Sequence, residues 1–502
     1  MFKILKADKD AYITDRVIND VRQTSSNTGH AGTCDLFKLY GLTSSGSNPN
    51  IELSRALIHF DLAPLRALVT SGKVDTTNPS FACTLKMRDV YGGQPTPSNF
   101  TLVAYPLSRS FDEGIGRDVV MYSDYDVCNF LTGSRSQGTW VLSGCNQGGG
   151  PTDTVDFITA SDGASFASSQ LFVDGTEDLS LDVTAVVSAT LAGVIPDQGF
   201  RVSFDASLEN DQHTYFVKRF ASHTAYSEDK HPTLTVTFDD SIQDDSQNLA
   251  LGQAGTLFMY SYVQNRLSNI ISGSSFTPIT GSNSLLLNLV TEISGGSYVL
   301  TFSGSQHTVG MNPATGIYSA SVVFDQNDAV LTAKILASGS AKVIPVWGSL
   351  DGTVGYLTGT ALHVRAPDRS MSAVDPRKYV VSTIGLEDTY FSDEEAVVRT
   401  NIFDYTSPVV KATRVAVELP GIVVRDVHYQ IRDDATGEAV VPFDTTHNST
   451  RLSSDASGMY FRLDASNLIK NRSYVIDILI VSGDNRQIYR NTSPVFKVSN
   501  AR

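Results

Sequence analysis

Paired carboxylates and scattered imidazoles are the residues of this chain with the means to do chemistry. Asp112/Glu113, Glu387/Asp388 and Asp393/Glu394/Glu395 are adjacent acids. Glycoside hydrolysis needs two carboxyl groups held about 5–10 Å apart across a cleft. Adjacency gives no such placement, since neighbours on a strand point to opposite faces and neighbours in a loop are solvated. Calcium is better matched to oxygen ligands on β-sandwich loops. Asp8, Asp10, Asp205 and Glu209 are the loop or strand-end acids that could supply them, but no spacing signature joins them. His213, His223 and His231 are the closest histidines in sequence, and none of them forms an i,i+4 pair. His59 sits inside the apolar Leu57–Leu62 run. Each histidine is expected to be a surface or hydrogen-bonded structural residue rather than a ligand.

The chain has no H-E-x-x-H, G-x-S-x-G or P-loop G-K-[ST] motif, the common signatures of hydrolysis and phosphate handling. The expectation is therefore a protein that is not an enzyme, with no catalytic, cofactor-binding or metal residue to assign and no cofactor. Cys34, Cys83, Cys128 and Cys145 match neither a C-x-x-C metal knuckle nor a compact disulfide framework. They read as reduced thiols in the core or at the surface.

The elements that must position these residues are strands. Thr233–Phe238, Ser297–Phe302, Thr413–Leu419 and Met459–Leu463 alternate with period two, the pattern of strands with one face in a core. Asp433–Glu438, between Val427–Arg432 and Ala439–Phe443, reads as a hairpin turn. The clearest helix runs from Asp182 to about Val194, with Asp182 as its cap. Phe258, Tyr260 and Tyr262 recur opposite Leu257, Met259 and Val263. That strand is expected to be buried on both faces, with an aromatic contact surface as the alternative.

The 502 residues are 41% hydrophobic, enough apolar material for real cores, and suggest about three domains. A polar, acidic linker is expected at Asp239–Asn248 and a second boundary near Arg365–Ser370. The blocks are 1–240, 249–370 and 371–502. Ser44–Asn50 and Gly148–Pro151 read as extended loops. The fold class is all-β: tandem β-sandwich domains, a longer N-terminal one followed by two smaller ones. With 53 acidic against 38 basic residues, the net charge is −15. An acidic chain repels phosphate backbones, so nucleic acid is not an expected partner. No window is apolar enough for a membrane span. The apolar run of Met1–Asp10 is too short for a secretory segment, and a chain without an export route is expected to leave its cell by another path.

Several stretches of the first block, in order, resemble the DNRLRE-type β-sandwich family. They are Ala7–Ile13, Asn27–Gly32, Arg55-Ala56-Leu57-Ile58-His59-Phe60-Asp61-Leu62, Ser110–Gly114 with Leu181–Thr184, and the ending Pro232–Phe238. The resemblance covers about half the chain. It implies a jelly-roll-like domain of the kind found in secreted, cell-surface and phage proteins and discussed as a carbohydrate binder. The family's Trp after the Glu-Gly pair has only Trp140 as a counterpart here. In the last block, Asp426–Asp433 with Val440–Asp444, and Ser473–Ile480 with Pro494–Val498, resemble an immunoglobulin-like end domain of tailed-phage virion structural proteins.

Together these resemblances imply a structural protein of the virion in the neck, collar, tail or baseplate. Its expected partners are other phage virion proteins and further copies of itself in a homo-oligomer. The alternative is a carbohydrate-binding protein that recognises host surface glycans through the first block. A third reading, a secreted glycan hydrolase, would need carboxylates across a groove and an export route.

Overall fold

A computed structural model describes residues 1–42, 49–120, 122–124, 126–146, 148–149, 155–161, 163–273, 276–367, 378–404, 421–482 and 485–500. The strand expected at Thr413–Leu419, most of the Ser44–Asn50 loop, Gly150-Pro151 and the boundary residues Asp368–Ser370 lie outside them. Strands dominate the rest, as the alternating patterns predict, and the fold is all-β. The chain forms two compact units.

The first unit holds residues 2–69 and 81–237. Its ten-stranded sheet is antiparallel throughout. The long opening strand Phe2–Thr14 joins its two halves. Phe2–Lys6 pairs with Thr233–Thr237, the register then shifts between Ala7 and Lys9, and the remainder pairs with Ser54–Phe60. A shift of this kind bends a strand and lets it pass from one sheet to another. Beyond it, Asp10 through Thr14 are all buried. The helix expected from Asp182 spans Thr184–Leu191. Asp182 is not its N-cap, which is Val183, but stands one residue before it and accepts from the Thr184 N–H at 2.9 Å.

The second unit contains residues 70–80 and 238–502. Strands between Ala254 and Arg365 form a seven-stranded antiparallel sheet curled around one core, with Leu285, Leu287, Leu289, Tyr318 and Val343 fully buried. The helix Ala329–Ser338 buries Leu331 and Ile335 against that core. Strand Ala254–Tyr260 is amphipathic, which corrects the expectation of burial on both faces. Leu257 and Met259 are buried, Phe258 and Tyr260 half-buried, and Tyr262 exposed. Phe258 spends its ring edge-on to His307, with centroids 5.0 Å apart.

The last block is a two-sheet sandwich. Its four-stranded sheet runs Tyr379–Ile384, Glu395–Asp404, Gly458–Asp464, Ser453–Asp455, and its six-stranded sheet centres on Val427–Asp433 and Ser473–Ser482. Phe461 from the first stacks on Tyr429 from the second, with centroids 4.1 Å apart. The buried Tyr474 hydroxyl donates to Ile469 O at 2.9 Å, a tie back across a corner that immunoglobulin-like sandwiches use. The Asp433 hairpin forms as its sequence predicts, with the Asp433 carboxylate accepting from the N–H groups of Ala435 and Thr436.

The acidic stretch read as a linker is a strap along this sandwich. Ser454 N donates to Ile242 O at 2.8 Å, and Asp244 N donates to Ser454 Oγ at 2.9 Å. Asp244 and Asp245 are buried, and Asn248 Nδ2 donates to Val423 O. Its polar composition satisfies hydrogen bonds in place rather than holding the segment in water.

Candidate functional site

Three sequence stretches that carry the first resemblance converge in the first unit. Asn27 is the knot between them. Its Nδ2 donates to Glu113 O at 2.7 Å and to Cys128 O at 2.8 Å, while its Oδ1 accepts from Gly116 N at 2.7 Å. Thr28 Oγ1 accepts from Tyr12 N on the opening strand at 3.2 Å and donates back to Tyr12 O. Such close backbone approach needs glycine on both sides. A Cβ on Gly29 would lie 2.0 Å from Glu113 O, and one on Gly116 would lie 2.0 Å from Asn27 O.

This knot aims the Glu113 side chain at the opening strand. Asp10 N–H donates to Glu113 Oε1 at 2.8 Å, and the His223 N–H donates to Asp10 Oδ2 at 2.7 Å. The His223 ring follows, with Nδ1 3.1 Å from Asp10 Oδ1 and 3.3 Å from Glu113 Oε1. One ligand atom from each of the three residues lies within 4.8 Å of the other two. Asp10 is 1% exposed, whereas Glu113 and His223 reach solvent at 18% and 19%. Nδ1 is itself buried and makes no well-aligned hydrogen bond, with the two carboxylates as its nearest acceptors. Burial pushes the Glu113 carboxyl up, and the Asp10 carboxylate, close enough to hydrogen-bond the ring and opposite in charge, raises the His223 imidazole.

The four acids considered for calcium do not form one ligand set. Only Asp10 enters the cluster; Asp8 pairs with His59 Nδ1 at 2.6 Å. Asp205 caps the short helix Ala206–Glu209 by accepting from Ser207 N and Oγ. Glu209 is buried and takes a bidentate pair from Arg55. The paired acids also separate by role. Asp112 accepts from Arg135 N at 2.7 Å, away from the Glu113 contacts. Glu387, Asp388, Asp393 and Glu395 are exposed, and Glu394 accepts from Phe391 N. Of the three neighbouring histidines, His213 is exposed and His231 Nε2 bonds Ala225 O at 2.8 Å, so His223 alone joins an acidic pair.

The Arg55–Leu62 stretch works as structure. Leu57, Ile58 and Phe60 are buried, and Asp61 accepts from Ala63 N at the start of the following helix. Arg55 Nη1 donates to Gly144 O at 2.6 Å, tying a loop to the strand. Trp140 is in the core with its indole N–H on Asn129 O at 2.9 Å, so it presents no ring to a sugar. All four cysteines are free and buried, and burial pushes the Cys145 thiol up to about 12.

Sequence reasoning singled out Asp10 and Glu113 separately and missed their meeting with His223. The available signal was the Glu-Gly step after Asp112, whose glycine-rich surroundings mark a close backbone approach. Comparison of the sequence with protein-family models and with curated proteins finds no match.

Proposed function

We propose that the protein is a structural component of a tailed-bacteriophage particle, in the neck, collar, tail or baseplate, and acts by docking onto copies of itself and onto neighbouring virion proteins. The observation that carries this reading is an apolar outward face on the last sandwich. Val380 and Ile384 on strand Tyr379–Ile384, and Val397 on the adjoining Glu395–Asp404, share one face by register. They are 51%, 45% and 53% exposed. The outward face of an antiparallel sheet ordinarily turns polar residues to water, and single exposed apolar residues are common. Three on one face, interspersed with Ser382, Arg399 and Asn401, give a mixed surface suited to protein contact.

A charged pair on the same face, opposite Ile384, is ordered. Arg399 makes a bidentate pair with Asp455, at 3.0 and 2.8 Å, and its guanidinium lies over the Tyr460 ring. A fixed charged pair among the apolar residues sets register between docked subunits, and symmetric repetition multiplies weak contacts into avidity. The sequence resemblances of the first and last blocks supply the assignment to a virion.

Mass spectrometry of density-purified particles from an infected lysate tests this reading. A fixed stoichiometry relative to the major capsid protein is the expected result, and a count near a multiple of three or six would narrow the location. Absence from particles would overturn it and shift the assignment to glycan recognition by the first unit, which glycan arrays would test.

A further inference from the structure

We propose that Asp10, Glu113 and His223 form a site for one divalent transition-metal cation of the zinc class. The geometry comes first. Metal–ligand bonds of about 2.0–2.2 Å at tetrahedral angles hold neighbouring ligand atoms about 3.3–3.6 Å apart, and somewhat closer at octahedral angles. Nδ1 of His223 stands 3.1 Å from Asp10 Oδ1 and 3.3 Å from Glu113 Oε1. Both distances to Nδ1 are those of neighbouring ligands on one ion, and all three ligand atoms lie within 4.8 Å of one another.

The poorly aligned nitrogen is the second observation. Nδ1 is sealed from solvent and makes no well-aligned hydrogen bond, although Asp10 Oδ1 and Glu113 Oε1 stand 3.1 and 3.3 Å away. A buried polar atom without a well-aligned partner is costly. An ion bound by both carboxylates would supply that partner.

Charge balance points the same way. With a neutral imidazole the cluster carries two negative charges, one of them on a carboxylate that is 1% exposed. Asp8 adds a further acid nearby. The closest lysine in sequence is turned elsewhere, with Lys9 Nζ donating to Phe111 O at 3.0 Å. A dication neutralises the pair in place.

The ligands are also held in advance. The Asp10 and His223 N–H groups each bind a carboxylate of the cluster, and the Asn27 knot fixes the Glu113 backbone. Partners of this kind orient ligands around an ion. Calcium favours six to eight oxygens, whereas an imidazole in a three-residue set favours zinc or nickel and their neighbours in the first transition row. The partial exposure of Glu113 and His223 leaves a side open for water to complete the shell.

The test uses the untagged full-length chain, stripped with a chelator and titrated separately with Zn2+, Co2+ and Ca2+. The expected result is one Zn2+ bound per chain, Co2+ binding with visible ligand-field bands, and Ca2+ binding at least about tenfold more weakly. His223→Gln and Glu113→Gln should each weaken Zn2+ binding by about tenfold or more, with the far-ultraviolet circular dichroism of the metal-free protein unchanged. Should Glu113→Gln fail to fold, His223→Gln and the Co2+ spectrum decide alone. Absence of Zn2+ binding would overturn the proposal and leave a His223 ion pair with the two acids. So would Zn2+ binding that His223→Gln leaves intact, or a preference for Ca2+.

Discussion

Arg55 and Glu209 meet side-on inside the first unit, Nε to Oε1 at 2.9 Å and Nη2 to Oε2 at 2.7 Å, with both side chains almost wholly shielded from water. Arg201 shares the same carboxylate at 3.7 Å, and its guanidinium lies over the Phe157 ring at 4.5 Å. Burial, with the neighbouring Arg55 charge, lowers the Arg201 pKa to about 10. The group is therefore two buried cations held by one buried anion, and the anion is the critical member. Glu209→Ala is expected to destabilise the first unit by about 3–5 kcal/mol, because it strands a buried charge. Arg55→Met should cost less, since it removes a cation and leaves Glu209 with Arg201. Urea unfolding followed by a probe in the first unit would measure both, and equal losses would contradict this ranking.

The Asn27 knot gives a prediction about backbone approach. A Cβ at Gly116 would sit 2.0 Å from a backbone oxygen, which cannot swing away as a flexible side-chain tip does. Gly116→Ala is expected to destabilise by at least about 1–3 kcal/mol through overpacking. Gly93 has open space around a Cβ but a φ of +80°, so Gly93→Ala tests conformational strain without a clash and should cost about 1 kcal/mol. Thermal unfolding of the two variants separates collision from strain.

Strand positions in this protein are legible because period-two alternation and turn residues are local. Thr233–Phe238 and the Asp433–Glu438 hairpin needed no distant information. The helix Ala329–Ser338 carries readable ends, with Asp328 accepting from Leu331 N and Gly339 in the left-handed conformation, yet its short apolar run is hard to tell from a strand by pattern alone. The strap at Asp239–Asn248 has the composition of a linker, and its burial depends on Ser453 and Ser454, which lie more than two hundred residues away. The same holds for the candidate site. Asp10, Glu113 and His223 are each ordinary in sequence, and their meeting depends on a register shift at Ala7–Lys9 and on the tight passage of Gly29 and Gly116.

Two buried titrating groups in the second unit have opposite signs. Burial raises the Asp244 carboxyl to about 6, against an ordinary value of 3.8. The native state then binds the proton more tightly than the unfolded chain, so this contribution is present at low pH and is lost as pH rises from about 4 to 6. Two units correspond to a cost of up to about 3 kcal/mol at neutral pH. Asp244→Asn keeps an acceptor for Ser246 N and should stabilise the second unit at pH 7 while changing little at pH 4.

His428 works the other way. It is 2% exposed, and burial together with Arg451 lowers its pKa below the ordinary 6.5. The native state resists protonation, so stability falls as pH drops below about 6.5. In the Asp244→Asn background this acid loss should be exposed together with that of His307, whose pKa burial also lowers, and His428→Gln should remove the His428 share. Melting temperatures between pH 4 and 8 for the three proteins check both signs. A wild-type profile already steep in one direction, and unmoved by the matching substitution, would refute the assignment.

The outward face of the last sandwich makes the docking prediction. Val380 and Val397 lie about half exposed on adjoining strands, while the residues that alternate with them, Val398 and Ile402, are buried. Because the two faces are independent, charge can be placed outside without disturbing the core. Val380→Glu with Val397→Glu should leave the melting temperature within about 0.5 kcal/mol of wild type in stability terms, as surface substitutions usually do. The same pair should abolish self-association or particle incorporation, because a carboxylate buried in an apolar contact without a partner is expensive. Val397→Thr, similar in shape and only mildly polar, should show a partial loss. Sedimentation of the purified chain and quantitation of the variant in particles provide the two readouts. If both charged positions assemble as wild type does, this face is not the docking surface, and the contact must be sought on the loops and edges of the other sheets.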